Sequence, residues 1–207
     1  MDSITPAVRQ HYAQLDVPII EVVDDYSTDF TKTLLYLSEW YFDHTTATDK
    51  DNDIDVLIMG GLGGRVDQAF SQIHHLAVMQ NKRFPQQPGT NDDSSLRMNL
   101  YLISEESITF ILNPGENIIH TPGTNRPGVT SSTSTCCYLE ENVGIIPFLG
   151  PTSITTHGFE WDVADWRTQI GGQISTSNHI RADVVRVQSP EPVLFTLELA
   201  TRLKRGE

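Results

Sequence analysis

Long apolar runs, basic side chains and cysteines are all scarce in this sequence of 207 residues. No apolar run approaches the roughly 20 residues that a membrane-spanning helix needs, so we expect no membrane partner. Residues 1–12 also lack the basic and apolar segments of a secretory signal. We therefore expect a soluble, cytoplasmic protein.

Basic residues are outnumbered, since 14 Lys and Arg stand against 27 Asp and Glu, for a formal net charge of −13. Nucleic-acid binding depends on cations that neutralise phosphates, so this balance argues against a nucleic-acid partner. It does not argue against a small phosphate ligand, because clustered carboxylates can hold Mg²⁺ and the metal then meets the phosphates.

The two cysteines, Cys136 and Cys137, are adjacent, so a disulfide between them would be strained. No His or Cys at zinc-ligand spacing accompanies them. We predict two reduced thiols in a surface loop and assign them no function.

The first 80 residues alternate strand and helix patterns, as is typical of a parallel α/β sheet. Residues 17–23 (VPIIEVV) and 56–59 (VLIM) are predicted to be buried strands. Apolar residues at helical spacing follow each strand, and Ser27 or Thr28 is a suitable N-cap for the first helix. The apolar positions of the two predicted helices are Phe30, Leu34, Leu37 and Tyr41, then Val66, Ala69, Phe70, Ile73 and Ala77.

Beyond a polar loop at residues 81–95 the chain changes to short strands with turn signals, which favours an antiparallel sandwich or barrel. The predicted strands are 100–104, 108–112, 143–147, 153–157, 171–176, 183–187 and 193–199. Residues 121–135, rich in Thr, Ser, Pro and Gly, are predicted to form a flexible insertion. We predict an α/β domain over residues 1–104 and an all-β sandwich over residues 105–207.

The stretch from Gly60 to Gln68 (GGLGGRVDQ) lies between a predicted strand and a predicted helix, where open α/β sheets bind ligands. Glycines let a phosphate approach the backbone, the helix N-terminus offers amides, and Arg65 adds a forked cation. The pattern is neither a dinucleotide fingerprint nor a P-loop. A tight turn with a solvated Arg65 is the alternative explanation.

Two further segments leave a structural explanation open beside the functional one. Asp29 and Lys32 lie where the first predicted helix begins, and Asp29 there suits the helix dipole regardless of any ligand. Trp161 follows a glycine-bearing turn, where a Trp serves either as a core residue or as a platform for a flat ligand. A lone Trp is more often a core residue.

These segments resemble, in order and with compatible spacing, the motifs of the thiamine pyrophosphokinase family. The stretch GGLGGRVDQ matches G-G-x-G-G-R-x-D-[QH], and STDFTK (27–32) is similar to T-D-F-x-K. VGIIP (143–147) resembles the strand C-G-L-I-P, with Val in the Cys place. GFEWD (158–162) and ISTSN (174–178) are similar to G-L-x-W-[ND] and [IV]-S-T-S-N.

The resemblance implies an N-terminal α/β domain that binds ATP, a C-terminal sandwich that binds thiamine, and a homodimer with shared active sites. The implied reaction transfers the β,γ-pyrophosphoryl group of ATP to thiamine and yields thiamine diphosphate and AMP. It requires Mg²⁺.

The resemblance also implies roles for individual residues. The implied catalytic and metal-binding carboxylates are Asp2, Asp29 and Asp67. The implied ATP and phosphate ligands are Gly61, Gly63, Gly64, Arg65, Lys32 and Gln68. Trp161 would pack on a ring of thiamine, and hydrogen bonds from the partner subunit would come from Ser175, Ser177 and Asn178.

One departure from the family pattern concerns the start of the sequence. Only Asp2 and Ser3 match the motif G-D-x-D-S, and its first Asp, the opening strands and a nucleotide-contacting turn have no counterpart, which implies an incomplete parallel sheet. Two interpretations stay open: a shortened version of a longer enzyme, or a short form with impaired catalysis that binds thiamine or forms dimers. A third is phosphate transfer to another alcohol.

Overall fold

The computed structural model describes residues 4–45, 53–85, 95–128 and 137–204. They belong to two units, Met1–Lys50 and Asp51–Glu207, each compact by itself. The predictions for Asp2, for Cys136 and for residues 86–94 and 129–135 of the two polar loops lie outside the described residues.

The first unit contains the helices α1 (Pro6–Gln14) and α2 (Asp29–His44). Helix α2 begins as the sequence predicts, because the Thr28 hydroxyl oxygen accepts a hydrogen bond from the Thr31 amide at 3.3 Å. Helix α1 is missing from the sequence prediction, although a threonine before Pro6 is a regular signal for the start of a helix.

The prediction of a strand over residues 17–23 is wrong. These residues are not in a strand, and the described part of the first unit contains no strand with which they could pair. Its alternating pattern nevertheless has a structural counterpart, since Pro18, Ile20 and Val22 all line a cavity beside α2. A period of two places side chains on one face, but it does not reveal whether a neighbouring strand is present to bond the backbone.

The second unit opens with a β–α–β arrangement. Strand β1 (Asp53–Met59) pairs in parallel along its whole length with β3 (Ser95–Ile103). Helix α3 (Val66–Met79) and the short strand β2 (Arg83–Pro85) lie between them in the chain. The side chains that are at most 1% exposed here are Leu76, Leu96, Met98, Leu100 and Leu102. The predicted strand at 56–59, the helix after it and the strand at 100–104 are all present. The prediction that the strand at 56–59 is buried is wrong, because Leu57 and Met59 are 60% and 75% exposed.

The rest of the second unit consists of β-strands and a final 3-10 helix, Thr201–Leu203. The strands are β4 (Ser107–Leu112), β5 (Gly115–His120), β6 (Thr124–Asn125), β7 (Leu139–Ile146), β8 (Thr152–His157), β9 (Trp166–Thr168), β10 (Ser175–His179), β11 (Val184–Ser189) and β12 (Val193–Leu199). One sheet has the order β1-β3-β4-β12-β7-β10, with β2 beside β3 and β6 beside β7, and the other has the order β5-β11-β8-β9.

Both sheets contribute to one apolar core, which includes the fully buried Ile145 and Phe195 of the larger sheet and Ile154 and Val187 of the smaller one. The chain is therefore rich in sheet, with few helices in its described part. The larger sheet continues across the predicted boundary at residues 104 and 105, because β3 pairs with β4. That boundary stays a prediction.

Four local predictions need correction. The predicted flexible insertion at 121–135 contains the strand β6 and the buried Thr121 and Thr124 in its described part. Residues 171–174 form a turn rather than strand, and Gly171 there has a φ of +85°, so β10 begins only at Ser175. The predicted loop at 81–95 contains the strand β2. Cys137 is buried instead of lying in a surface loop.

Candidate functional site

The glycine stretch forms the connection between β1 and α3. The amides of Gly60 and Gly61 donate to the carbonyl of Ile103 at 2.8 and 3.2 Å, which fixes the turn to the end of β3. Gly61 is buried against Leu102, because a Cβ atom at position 61 would lie 2.7 Å from the Leu102 Cδ2 atom. Gly64 has a φ of +64°, which an L side chain rarely adopts. The sequence prediction of a glycine turn between strand and helix is confirmed.

Helix α3 begins directly after the glycine turn, without a side-chain cap. Arg65 is the N-cap residue, and its side chain makes no capping hydrogen bond. The first amides of a helix have no partner inside the helix and carry the positive end of its dipole. Such a terminus, beside a close-packed glycine turn, suits an anion such as a phosphate.

Arg65 and Asp67 form an ion pair on this first turn. The Nε atom of Arg65 donates to Asp67 Oδ1 at 3.0 Å, and its Nη2 atom donates to Oδ2 at 2.5 Å. These hydrogen bonds from Arg65 hold the pKa of the Asp67 carboxyl below its ordinary value. Gln68 lies beside the pair and donates to Asp67 at 3.5 Å. The two charged side chains are 76% and 60% exposed, so solvent and ligands reach both.

Asp29 and Lys32 are brought together in the first unit. Both line a cavity of about 330 Å³ with Thr33 and Tyr36 of α2 and with Ile20 before it. Asp29 also lies in the first turn of α2, so the alternative that it serves the helix dipole stays open. A cation and a carboxylate facing the same cavity can act on one ligand.

The family resemblance implies a Mg²⁺ ion, so the described side chains should include oxygen ligands that suit it. Among the described residues, no group of three or more His, Cys, Asp or Glu side chains is arranged to hold a metal. Mg²⁺ usually binds one or two carboxylates and completes its shell with water and substrate phosphates. The exposed carboxylate of Asp67, next to the glycine turn, fits that type of site.

A second turn, residues 158–162, carries Trp161 in the sandwich. The indole is 55% exposed, which rules out the core role that a lone Trp usually has. Trp161 lines a cavity of about 170 Å³ together with Ile174, Ser175, Thr176 and Asn178. A half-open indole beside hydroxyl groups suits a flat ligand with polar substituents.

The residues predicted to hydrogen-bond a ligand in this region differ in their placement. Ser175 is half-buried and faces the cavity, whereas Ser177 is exposed and does not line it. The register of β10 against β7 shifts between Ser175 and Asn178, and Ser177 has a φ of +56°. Asn178 is only 5% exposed, and its amide bonds the backbone of Trp161.

Charged side chains surround the tryptophan turn. His179 packs against the Trp161 indole with 5.0 Å between ring centroids, and its Nδ1 atom lies 2.7 Å from Glu160 Oε2. Arg181 bridges Glu160 and Glu141. The hydrogen bond from His179, together with those from Arg181, holds the pKa of Glu160 below its ordinary value. The sequence offered no motif for this cluster, because its members come from three separate strands and turns.

None of the helices within the described ranges combines the length and the apolar character that crossing a membrane requires.

Comparison with known proteins gives matches along most of the sequence. The model of the thiamin pyrophosphokinase catalytic domain matches residues 1–86, and that of the thiamin pyrophosphokinase vitamin B1 binding domain matches residues 128–194. Thiamine pyrophosphokinase 1 of Oryza sativa is 26% identical over 96% of this chain and 64% of its own length. Thiamine pyrophosphokinase 1 of Arabidopsis thaliana is 28% identical over 96% of this chain and 63% of its own length.

Solved structures show the same fold. Thiamin pyrophosphokinase from Candida albicans superposes with a TM-score of 0.72 at 23% identity, covering 96% of this chain and 71% of that one. Yeast thiamin pyrophosphokinase gives a TM-score of 0.69 at 20% identity, with coverage of 96% and 67%. The chain thus spans slightly less than two thirds of the length of its plant relatives. Because both domains of one family match it in order, this chain belongs to the thiamine pyrophosphokinase family.

Proposed function

We propose that the protein transfers the β,γ-pyrophosphoryl group of ATP to thiamine and yields thiamine diphosphate and AMP. The observation that carries the proposal is the order of the matches, with the catalytic domain before the vitamin B1 binding domain in a single chain. The relatives named for this activity align with 96% of the sequence.

The reaction makes one bond and breaks one. The hydroxyl oxygen of thiamine attacks the β-phosphorus of ATP and loses its proton to a carboxylate, and Asp67 and Asp29 are the described candidates. The bond from the β-phosphorus to the oxygen that bridges it to the α-phosphorus breaks, and AMP leaves with that oxygen. Little covalent chemistry falls to the protein, so positioning and charge stabilisation carry most of the catalysis.

The charges at the glycine turn suit that task. The amides of Gly63 and Gly64 and the start of α3 are proposed to hold phosphate oxygens, and Arg65 to neutralise their charge. The exposed pair of Arg65 with Asp67 opens readily, because solvent and salt weaken it. Phosphate would replace the carboxylate on Arg65, and Asp67 would become available for Mg²⁺. Lys32 and Gln68 are proposed as further phosphate ligands.

Magnesium, when bound, neutralises phosphate charge and orients the transferring group. Asp67, Asp29 and Asp2 are the residues proposed to hold it, since carboxylate oxygens are the protein ligands that Mg²⁺ prefers. The net charge of −13 is compatible with a cationic metal ion and a cationic substrate.

Thiamine is proposed to bind beside Trp161. The thiazolium ring of thiamine carries a positive charge, and a cation is attracted to the face of an indole. Ser175 faces the same cavity and is proposed to hydrogen-bond the substrate. Ser177 is proposed as a further ligand from its exposed position on the same strand. A homodimer with shared active sites and a cytoplasmic location complete the proposal.

The test is to incubate the purified protein with ATP, Mg²⁺ and thiamine and to quantify AMP and thiamine diphosphate. Equal amounts of both products, and none without thiamine, are expected. AMP formation that does not depend on thiamine, or thiamine binding without AMP, would contradict the proposal. Replacing thiamine with other alcohols in the same assay distinguishes transfer to thiamine from transfer to a different acceptor.

A further inference from the structure

The side-chain amide of Asn178 is engaged by the protein itself. Its Oδ1 atom accepts from the amide of Trp161 at 3.2 Å and from the amide of His179 at 2.8 Å. Its Nδ2 atom donates to the carbonyl of Trp161 at 3.0 Å. One side chain thus bonds both backbone groups of Trp161, and this pattern fixes which end of the amide is the oxygen.

Asp162 holds the other end of the same turn. Its Oδ2 atom accepts from the amide of Gly158 at 2.9 Å, and its Oδ1 atom accepts from the amide of Phe159 and the hydroxyl of Thr156, each at 3.2 Å. The backbone of Gly158 has a φ of +92°, and a Cβ atom there would lie 3.1 Å from the Val184 carbonyl. The turn therefore has little freedom at either end.

We infer that Asn178 is a positioning residue that fixes the backbone of Trp161, and that it does not supply a hydrogen bond to the substrate. This inference rests on the proposed binding of thiamine beside Trp161. A buried amide that bonds a peptide group on both sides would lose those bonds if it turned to a ligand, and leaving the peptide groups unpaired is costly. The indole in turn presents its face to the cavity only while its backbone is held.

The Trp161 side chain has few packing partners of its own. The indole is 55% exposed, and on the protein side it packs against His179. A side chain with so little packing depends on its backbone for direction. Asn178 supplies that constraint from β10, on which the register shift brings Ser175 and Asn178 to the same cavity.

The test combines a spectroscopic measurement with binding and kinetics. The three tryptophans of the protein can be replaced by 5-fluorotryptophan, and the ¹⁹F signal of Trp161 assigned from the variant Trp161→Phe. In the absence of thiamine, Asn178→Ala is expected to shift or broaden the Trp161 signal and to leave those of Trp40 and Trp166 in place. The KM for thiamine should rise about tenfold or more, with kcat changed by no more than about twofold.

Two companion variants complete the experiment. Asn178→Asp keeps an acceptor for the Trp161 and His179 amides but sets its second carboxylate oxygen against the Trp161 carbonyl, where two acceptors repel. It should therefore also shift the Trp161 signal and raise the KM. Asn117→Ala is the matched control, because the Asn117 amide likewise donates to backbone carbonyls, those of Asn113, Gly115 and Val187, away from the turn. It should leave the Trp161 signal and the KM unchanged.

The outcomes separate the inference from the proposed function. A Trp161 signal that stays unchanged in Asn178→Ala, with or without weaker thiamine binding, overturns the positioning role. If the protein binds no thiamine, the proposed function is contradicted. The ¹⁹F signals of the free protein still show in that case whether Asn178 holds Trp161. If Asn178→Ala fails to fold, the isosteric Asn178→Asp gives the same comparison.

Discussion

Arg65 and Asp67 form an ion pair within the first turn of α3, with 2.5 Å between Nη2 and Oδ2. The pair lies at the N-terminus of α3, where a free carboxylate and a free guanidinium are the groups that a metal–phosphate ligand needs. An ion pair between two exposed side chains is weak. The pair therefore keeps both side chains near the proposed phosphate and metal positions and can still open when a ligand binds.

Asp67→Asn should abolish most of the activity and leave the fold intact. The amide cannot replace a carboxylate as a magnesium ligand or as a base, so thiamine-dependent AMP formation should fall by roughly 100-fold or more. The urea midpoint should not change, because the ion pair that is lost is exposed. Both quantities are measured on the same preparation.

The matched control for this prediction is Glu116→Gln in the sandwich. Glu116 accepts from Arg186 at 3.1 Å, and the two side chains are 53% and 49% exposed, so this variant also removes one exposed ion pair with an arginine. It should keep full activity. An Asp67→Asn protein with the activity of Glu116→Gln would contradict a catalytic role for Asp67.

Gly61→Ala should destabilise the protein through one contact. The new Cβ atom would lie 2.7 Å from Leu102 Cδ2, and Leu102 is fully buried, so the strand or the turn must shift. Overpacking of this kind costs about 1–3 kcal/mol in the free energy of unfolding, measured by urea denaturation. In a double-mutant cycle with Leu102→Ala the two costs should add to less than their sum, because the smaller side chain removes the Cδ2 contact and leaves only the Cβ contact at 3.0 Å. Strict additivity would show that the turn yields elsewhere.

Local patterns in the sequence predicted much of the fold and the glycine site. Gly60 to Gln68 and the Thr28 cap are short-range features, since a turn and a helix start depend on neighbours in the chain. The extended run at 17–23 was misread as a strand because pairing needs a partner, and the sequence pattern carries no information about one.

The tryptophan turn shows what sequence could not supply. The motifs pointed to Trp161 and Asn178 as site residues, but the bonds from Asn178 to the Trp161 backbone join positions 17 residues apart. Likewise, Glu141 belongs to the cluster around Glu160 only because β7 and β10 are adjacent and Arg181 follows β10. Such contacts depend on strand order, which a single sequence does not specify.

Thr28→Ala should weaken the start of α2. The Thr28 hydroxyl is the acceptor for the Thr31 amide, and loss of an N-cap typically costs about 1 kcal/mol of stability. Hydrogen exchange of the Thr31 and Lys32 amides should accelerate, whereas the amides of α3 should keep their protection. Thr28→Ser, which retains the hydroxyl, should behave like the parent, and equal exchange in all three proteins would contradict the capping role.

The ionised carboxylate of Glu140 should stabilise the protein at neutral pH, and this contribution should be lost at acidic pH. Burial opposes its ionisation, but bonds from the Thr201 amide and hydroxyl, at 2.9 and 3.0 Å, and from Asn125, at 2.7 Å, outweigh that effect and lower its pKa. A carboxyl whose pKa is lower in the folded than in the unfolded state stabilises the fold above its ordinary value of 4.5, and this contribution is lost as the pH falls through the folded-state pKa. Urea midpoints measured from neutral pH downwards should therefore differ most between the parent and Glu140→Gln at neutral pH and converge below pH 4.5. A constant difference over the whole range would show that the carboxylate charge of Glu140 does not stabilise the fold.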